Sequence, residues 1–173
     1  MTITRSSAAA HDRSSTPTRG VLTPLAVRIG AISWMPKLLP QITWLDKRLQ
    51  RATTGRWSVL GIAGLPNLML TVTGRKSGVL RSTPLLYVPY GDDQLIAGSY
   101  FGGPDTPVWV ANIRAAQQVT VRINGVRHTA TPREIGDDER EPLWAHMVET
   151  WPNFARYAER TDRRIPIFLL ERV

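Results

Sequence analysis

Between Pro24 and Arg56 the apolar residues Leu25, Ile29 and Ile32, then Leu38, Ile42, Leu45 and Leu49, recur every three or four positions, the period of a helix with one apolar face. Pro36 and Pro40 interrupt the series, and proline inside a helix removes an N–H donor and clashes with the preceding turn, so two helical pieces are predicted. The second piece carries Lys47, Arg48 and Arg51 near Trp44. An amphipathic cationic helix of this kind has two uses: packing on a sheet with its basic face in solvent, or lying on anionic lipid headgroups.

From Asn67 the pattern changes to short β-branched and apolar runs, the signature of strands. Leu68 to Thr73 and Thr83 to Val88 flank a Gly/Ser-rich turn, and Tyr90-Gly91-Asp92-Asp93 makes a tight turn into a third strand, Gln94 to Ser99. After the loop YFGGPDT, Pro107 suits the first position of a short helix reaching about Ala116, with Thr106 as its cap. Val119 to Ile123 and Val126 to Ile135 enclose Asn124-Gly125, a pair suited to the left-handed backbone of a type I′ hairpin turn. Asp137 or Asp138 is placed to cap a helix running to Thr150, with Pro142 tolerable in its first turn, and a further helix, Pro152 to Arg160, precedes a last strand, Ile165 to Leu170. About six short strands joined by hairpins, with helices between and at the ends, predict a mainly β, α+β fold: a small antiparallel barrel with α additions.

Composition changes this picture little. The chain has 173 residues, 42% of them hydrophobic, enough for one core. It contains no cysteine, which removes thiol nucleophiles and thiolate metal sites. No apolar run reaches the length of about 18 residues that spans a bilayer. Residues 1–20, rich in Ser, Thr, Ala and Arg, lack the apolar stretch of a signal peptide and read as a disordered tail.

The charge is more informative. Of a net +8, residues 1–91 hold 12 Lys/Arg against 2 acidic residues, and residues 92–173 hold 10 against 12. The basic half predicts an anionic partner. Its cations are scattered among apolar segments with no nucleic-acid-binding motif, so nucleic acid is not the expected one.

Gly74-Arg75-Lys76-Ser77-Gly78 looks like part of a phosphate loop but fails by count. A P-loop needs a second glycine before its Lys-Ser/Thr and a helix immediately after, so that backbone amides converge on phosphate. Here Arg75 holds the glycine's place and a strand follows. The segment reads as a hairpin turn with charges on it.

Other chemistries leave no mark. A Gly-x-Gly-x-x-Gly dinucleotide fingerprint is absent, and His11, His128 and His146 have no triad partners in sequence. His146 and Glu149 share a helical face, but two ligand types without a second cluster do not make a metal site. If the chain is an enzyme, an organic cofactor carries the chemistry.

Three stretches, GLPNLMLTVTGRKSGVLRSTPLLYV, AGSYFGGPDTPVWVANIRA and WPNFARYAERTDRRIPIFLLER, in this order and across roughly residues 55–172, resemble the deazaflavin-dependent nitroreductase family. These are coenzyme F420-dependent reductases of actinobacteria with a split β-barrel fold. The resemblance implies residues 1–20 as a tail, 21–55 as an amphipathic helical segment and 56–173 as a split-barrel, FMN-binding-like domain. It implies that Arg75, Lys76, Ser77 and Arg81 bind the phosphodiester and glutamates of the coenzyme's tail, for which guanidinium and ammonium groups on a rigid turn are suited. Ser82, Thr83, Pro84, Leu85 and Leu86, with Ala97, Gly98, Ser99 and Tyr100, would line the deazaflavin. Val108, Trp109 and Asn112 would close one side of it, Trp109 being equally suited to plug the barrel and Asn112 to a helix-terminal bond. Tyr157 would face the acceptor and donate a proton or hydrogen bond, or else simply pack its helix on the barrel.

The implied reaction is hydride transfer from C5 of the reduced deazaflavin to a stacked, electron-poor acceptor. Two departures bear on which acceptor. Tyr100 and Phe101 stand where many relatives have lysine or a small polar residue, and Phe154 stands where some carry tyrosine; an aromatic, apolar entrance favours quinones, with nitroaromatics incidental. The implied location is cytoplasmic, with peripheral contact at the inner face of an anionic membrane through residues 24–51 left open, as is a homodimer. Related barrels also bind FMN, haem or lipid, so an FMN-binding or non-catalytic carrier stands as the alternative.

Overall fold

In the computed structural model, the structure describes residues 66–173. The predicted tail and the two helical pieces of residues 24–56, with any membrane contact they make, lie outside the described residues.

Seven strands form one antiparallel sheet: β1 (Asn67–Thr73), β2 (Leu80–Leu86), β3 (Val88–Tyr90), β4 (Asp93–Ala97), β5 (Val119–Ile123), β6 (Val126–Glu134) and β7 (Ile167–Arg172), in the order β2-β1-β5-β6-β7-β4-β3. The sheet is curled, so that β2 near one end of the order approaches β4 near the other. Among the described residues, three α-helices accompany it: α1 (Val108–Ile113), α2 (Asp137–Thr150) and α3 (Asn153–Glu159).

Two of the three prolines within strands, Pro84 and Pro132, show how the sheet curls. Proline cannot donate to a ladder and needs an open flank. Pro84 lies on β2, an edge strand paired only with β1 through Met69. Pro132 lies on β6, which pairs with β5 up to Ala130 and with β7 from Ala130 to Glu134. Beyond Ala130 the strand has one neighbour, which leaves a flank free for the ring.

Both faces of the central strands are covered, and this separates two cores. Leu68, Leu70, Val72, Ile96, Val121, Phe168 and Leu170 pack with Trp109, Val110 and Ile113 of α1. Leu95, Ile167 and Leu169 pack on the other face with Leu143 and Met147 of α2 and Phe154 and Tyr157 of α3. Alternate residues of β7 thus enter opposite cores, which is why Ile167 to Leu170 is an unbroken apolar run.

The strands fall where the residue pattern predicts, with shifted ends. The second predicted strand begins three residues earlier, at Leu80, because the β1 ladder continues to Thr73↔Leu80; it breaks at Tyr87, and the remainder is the additional strand β3. The Asn124-Gly125 turn has φ of 50° and 85°, the left-handed geometry expected there. Two expected caps are not formed. Helix α1 begins after Pro107 and ends at Ile113, with no side-chain bond from Thr106. Gly136 holds the N-cap of α2, so Asp137 and Asp138 lie in the first turn, where their charges favour the helix dipole. Pro142 sits one turn deeper than expected, inside α2.

Candidate functional site

The cationic turn joins β1 to β2. Gly74 N–H donates to Val79 O at 2.9 Å, and Ser77 and Gly78 N–H donate to Gly74 O at 3.2 and 2.8 Å. Gly78 has a φ of +66°, a region that glycine enters without steric cost. Arg75 N–H donates to the side-chain oxygen of Asn112 on α1 at 3.2 Å. Four of the five amides in the turn are therefore engaged within the protein, and no backbone cradle is available for phosphate.

The side chains are in the opposite state. Arg75, Lys76, Ser77 and Arg81 are exposed, and among the described residues no carboxylate forms a salt bridge with these cations. The Ser77 hydroxyl and the Arg81 guanidinium converge over Gly74, where an added Cβ would meet Ser77 Oγ at 2.7 Å and Arg81 Nε at 3.7 Å. A hydroxyl and unpaired cations gathered on an anchored turn form a donor set for a flexible polyanion.

Helix α1 links this turn to a second loop. Asn112 is buried and holds the turn, while Val110 touches Gly98, where a Cβ would stand 2.9 Å from its Cγ2 and 2.8 Å from Pro166. Trp109 is 7% exposed and packs edge-on against Phe168 at 5.9 Å, so it plugs the core. Val108, 78% exposed, is the part of α1 that faces outward. On β2, Ser82 hydrogen-bonds Thr71 across the ladder at 2.8 Å. Thr83 and Pro84 are half-buried, while Leu85 and Leu86 lean toward the two cores. The approach of β2 to β4 brings these residues toward Ala97.

Beyond Ala97 the chain is strained. Tyr100, Phe101 and Gly102 have φ of 49°, 54° and 79° in succession, and for the two aromatic residues this costs about 1–2 kcal/mol each. The strain is held in place from the C-terminal segment. Arg163 donates to Gly98 O at 2.9 Å, Ser99 O at 2.7 Å and Gly103 O at 3.0 Å, and Arg160 donates to Phe101 O at 3.4 Å. Burial lowers the Arg163 pKa and Asp105 opposes the shift. Arg163 lies in the sequence stretch Thr-Asp-Arg-Arg-Ile-Pro but drew no role from it, because a half-buried arginine and a solvated one look alike in a charge run.

Tyr157, expected from the sequence to face the acceptor or to pack its helix, packs inward. It is 3% exposed, meets Phe101 edge-on at 5.4 Å and lies within the α2/α3 core. Burial pushes its phenol up to about 12, against hydrogen bonds from Trp151 and Asn153 and the nearby Arg160 and Arg156 charges, which pull it down. The reason is helix phase: the α3 face that carries Phe154 and Tyr157 is the one α3 packs inward.

Other candidates resolve into structure. His146 contacts Pro89 O at 2.9 Å and the Tyr90 ring, and His128 contacts Gln94 at 3.1 Å. A cavity of about 320 Å³ opens beside α2, where Arg164 pairs with Asp137 and Arg140 stacks on Trp144 and donates to Ile165 O. None of the predicted site residues lines it.

A curled antiparallel sheet with an exposed cationic turn and a braced aromatic loop joined by one helix defines a split β-barrel. The family model for F420H(2)-dependent quinone reductases matches residues 44–172. An F420H(2)-dependent quinone reductase of Mycobacterium tuberculosis is 33% identical over 135 residues, covering 76% of this chain and 91% of that protein. The solved structure of an F420-H2 dependent reductase, FDR-A, superposes with a TM-score of 0.57 at 36% identity, over 61% of this chain and 94% of its own. A structure described as a domain-swapped dimer gives 0.58 at 33%, over 74% and 97%. The chain belongs to the F420H(2)-dependent quinone reductase family. It is thus an oxidoreductase of split-barrel type with F420 as the hydride donor, as the resemblance in its sequence implies, with quinone in place of nitro compounds in the family's description.

Proposed function

We propose that this protein reduces quinones with F420H2, holding the coenzyme by its anionic tail at the Gly74–Gly78 turn. The observation that carries the reading is the division of labour in that turn: its amides are engaged internally while its cations are unpaired and exposed. Side-chain donors then bind phosphate and carboxylate at several points without fixing one geometry, as a chain of glutamates requires.

When bound, the reduced coenzyme supplies a hydride from C5. The chain's own residues do the rest. Arg75, Lys76, Ser77 and Arg81 hold the tail. Ser82, Thr83, Pro84, Leu85 and Leu86 with Ala97, Gly98, Ser99 and Tyr100 line the ring system, and Val108, Trp109 and Asn112 bound one side, Asn112 by fixing the turn to α1 and Trp109 from within the core. Tyr100 and Phe101 offer an aromatic surface that admits flat, apolar acceptors and keeps water off the reacting face. The proton that completes quinone reduction comes from solvent, and Tyr157 supports Phe101 from behind. Nitroaromatics are incidental substrates in this reading. A homodimer and peripheral contact through residues 24–51 belong to it as well; loss of liposome binding on truncation before Gly55 would support that contact.

Binding of F420, FMN and a tail-less deazaflavin to the wild type and to the Arg75→Ala/Lys76→Ala double variant tests the proposal. Each charge-assisted hydrogen bond is worth about 1.5–3 kcal/mol, so F420 is expected to bind at least tenfold more weakly to the double variant, and the tail-less compound to be indifferent to it. A preference for FMN, or F420 binding insensitive to both changes, would overturn it.

A further inference from the structure

Arg163 is the residue whose arrangement the proposed function leaves unused. Its guanidinium lies across the mouth of one loop and donates to three carbonyls, those of Gly98, Ser99 and Gly103, at 2.7–3.0 Å. An extended planar fork of five N–H groups is the one side chain that can serve three divergent acceptors at once; an ammonium on a flexible stem is a point donor. What the fork encloses is the left-handed run Tyr100-Phe101-Gly102. The left-handed run lies between the held carbonyls of Ser99 and Gly103. The surroundings fix the same conformation: Gly98 N–H donates to Pro166 O at 2.9 Å, a Cβ on Gly103 would meet the Tyr100 ring at 2.5 Å, and one on Gly102 would meet Tyr157 O at 2.7 Å.

We propose that Arg163 is a positioning residue for acceptor selection: by gathering the carbonyls of Gly98, Ser99 and Gly103 it holds Tyr100 and Phe101 in the conformation that presents their rings to a flat, apolar acceptor. This rests on the quinone reductase reading for its acceptor, but not for its conformational part. Arg163 sets the shape of the acceptor wall, whereas the Gly74–Gly78 cations set coenzyme affinity. Strain at two aromatic residues persists only where neighbours over-determine it, and Arg163 supplies three of the bonds that do so, beside Arg160 at Phe101 O and the Gly98, Gly102 and Gly103 amides.

The experiment compares Arg163→Lys with wild type in three readouts. In the coenzyme-free protein, hydrogen exchange at the Gly102 and Gly103 amides, which donate to Ser99 O and Tyr100 O, is expected to rise about tenfold while β5–β6 amides are unchanged, as for a local opening. The ratio of F420 to tail-less deazaflavin affinity, which reads the turn alone, is expected to stay within about threefold, and kcat/KM for a bulky naphthoquinone to fall about tenfold, more than for a small benzoquinone. Because Arg163 is held to act through Phe101, Arg163→Lys placed in a Phe101→Gly background is expected to add less than about twofold, as coupled sites do. Unchanged loop exchange, or losses that are additive or equal for both quinones, would overturn the assignment. If wild type fails to bind F420 or to reduce either quinone, the functional reading falls on its own, and the exchange comparison still decides whether Arg163 holds the loop.

Discussion

The Gly74–Gly78 turn and the Gly98–Gly103 loop are both glycine-framed, both touch α1 and both are held by hydrogen bonds, yet they treat arginine in opposite ways. In the turn the backbone is satisfied by its own amides and Asn112, and the guanidinium groups are left in solvent. In the loop Arg163 is directed inward and spends its donors on backbone carbonyls. The first arrangement suits binding a mobile anion; the second suits holding a shape. Charge exposed on an ordered backbone can be offered to a ligand, whereas charge engaged by the backbone orders the protein.

The two regions each contain a left-handed glycine, and substituting them separates the regions most sharply. Gly102→Ala places a Cβ 2.7 Å from Tyr157 O at φ +79°. Steric conflict with backbone adds to conformational strain, and a loss of about 2–4 kcal/mol is expected, read as a fall in Tm of roughly 10 °C. Gly78→Ala meets nothing within 4 Å at φ +66°, so only the strain of about 1 kcal/mol applies. Equal losses at the two sites would mean that the loop is no more constrained than the turn.

Ionic strength probes the same contrast without mutation. Exposed cations are screened once the Debye length falls to a few ångströms. Raising salt from about 0.05 to 0.5 M is expected to weaken F420 binding by about tenfold through the turn. Hydrogen exchange at Gly102 and Gly103 should not respond, because Arg163 meets its carbonyls by short, directed bonds. Salt-independent F420 binding would place the affinity elsewhere than on the exposed cations.

Asn112 joins the regions, since it holds the turn from the helix that also touches Gly98. Asn112→Ala removes the acceptor for Arg75 N–H, a bond worth about 1 kcal/mol. F420 affinity is expected to fall about fivefold, with the quinone preference unchanged. A shift in quinone preference would show that α1 transmits changes to the loop, and the two regions would then act as one.

The same contrast accounts for what could be read in the residues beforehand. Hairpin signals such as Asn124-Gly125 and the charged turn are local, fixed by conformational preferences of a few neighbouring residues, and they place the strands and the β1–β2 turn correctly. The ends of strands are set by ladder partners, as at Leu80 and Tyr87, and cannot be found locally. Tyr157 shows the limit for the site: which way its side chain faces follows from helix phase, and only the packed α3 shows that it meets Phe101 within the core. Arg163 is 60 residues or more from the carbonyls it holds, and no pattern in its own stretch points to them.

Tyr157 offers the smallest expected effect on the reaction and the cleanest test of how far that core position takes part in it. Its phenol is raised to about 12 by burial. A raised pKa means that the folded state holds the proton more tightly, so the contribution to stability is complete below pH 10 and is lost as pH rises toward about 12. Nothing from this group titrates across the neutral range. Tyr157→Phe keeps the ring against Phe101 and removes only the hydroxyl that Trp151 and Asn153 engage. It is expected to lose about 1–2 kcal/mol of stability, because those buried partners are left unsatisfied. Its kcat should stay within about threefold of wild type, since a positioned general acid would contribute a hundredfold or more. Its pH–rate profile should overlay that of wild type between pH 6 and about 9. A hundredfold fall in kcat with little change in KM would return the phenol to the acceptor as its proton donor, and would mean that Phe101 moves aside when the acceptor binds.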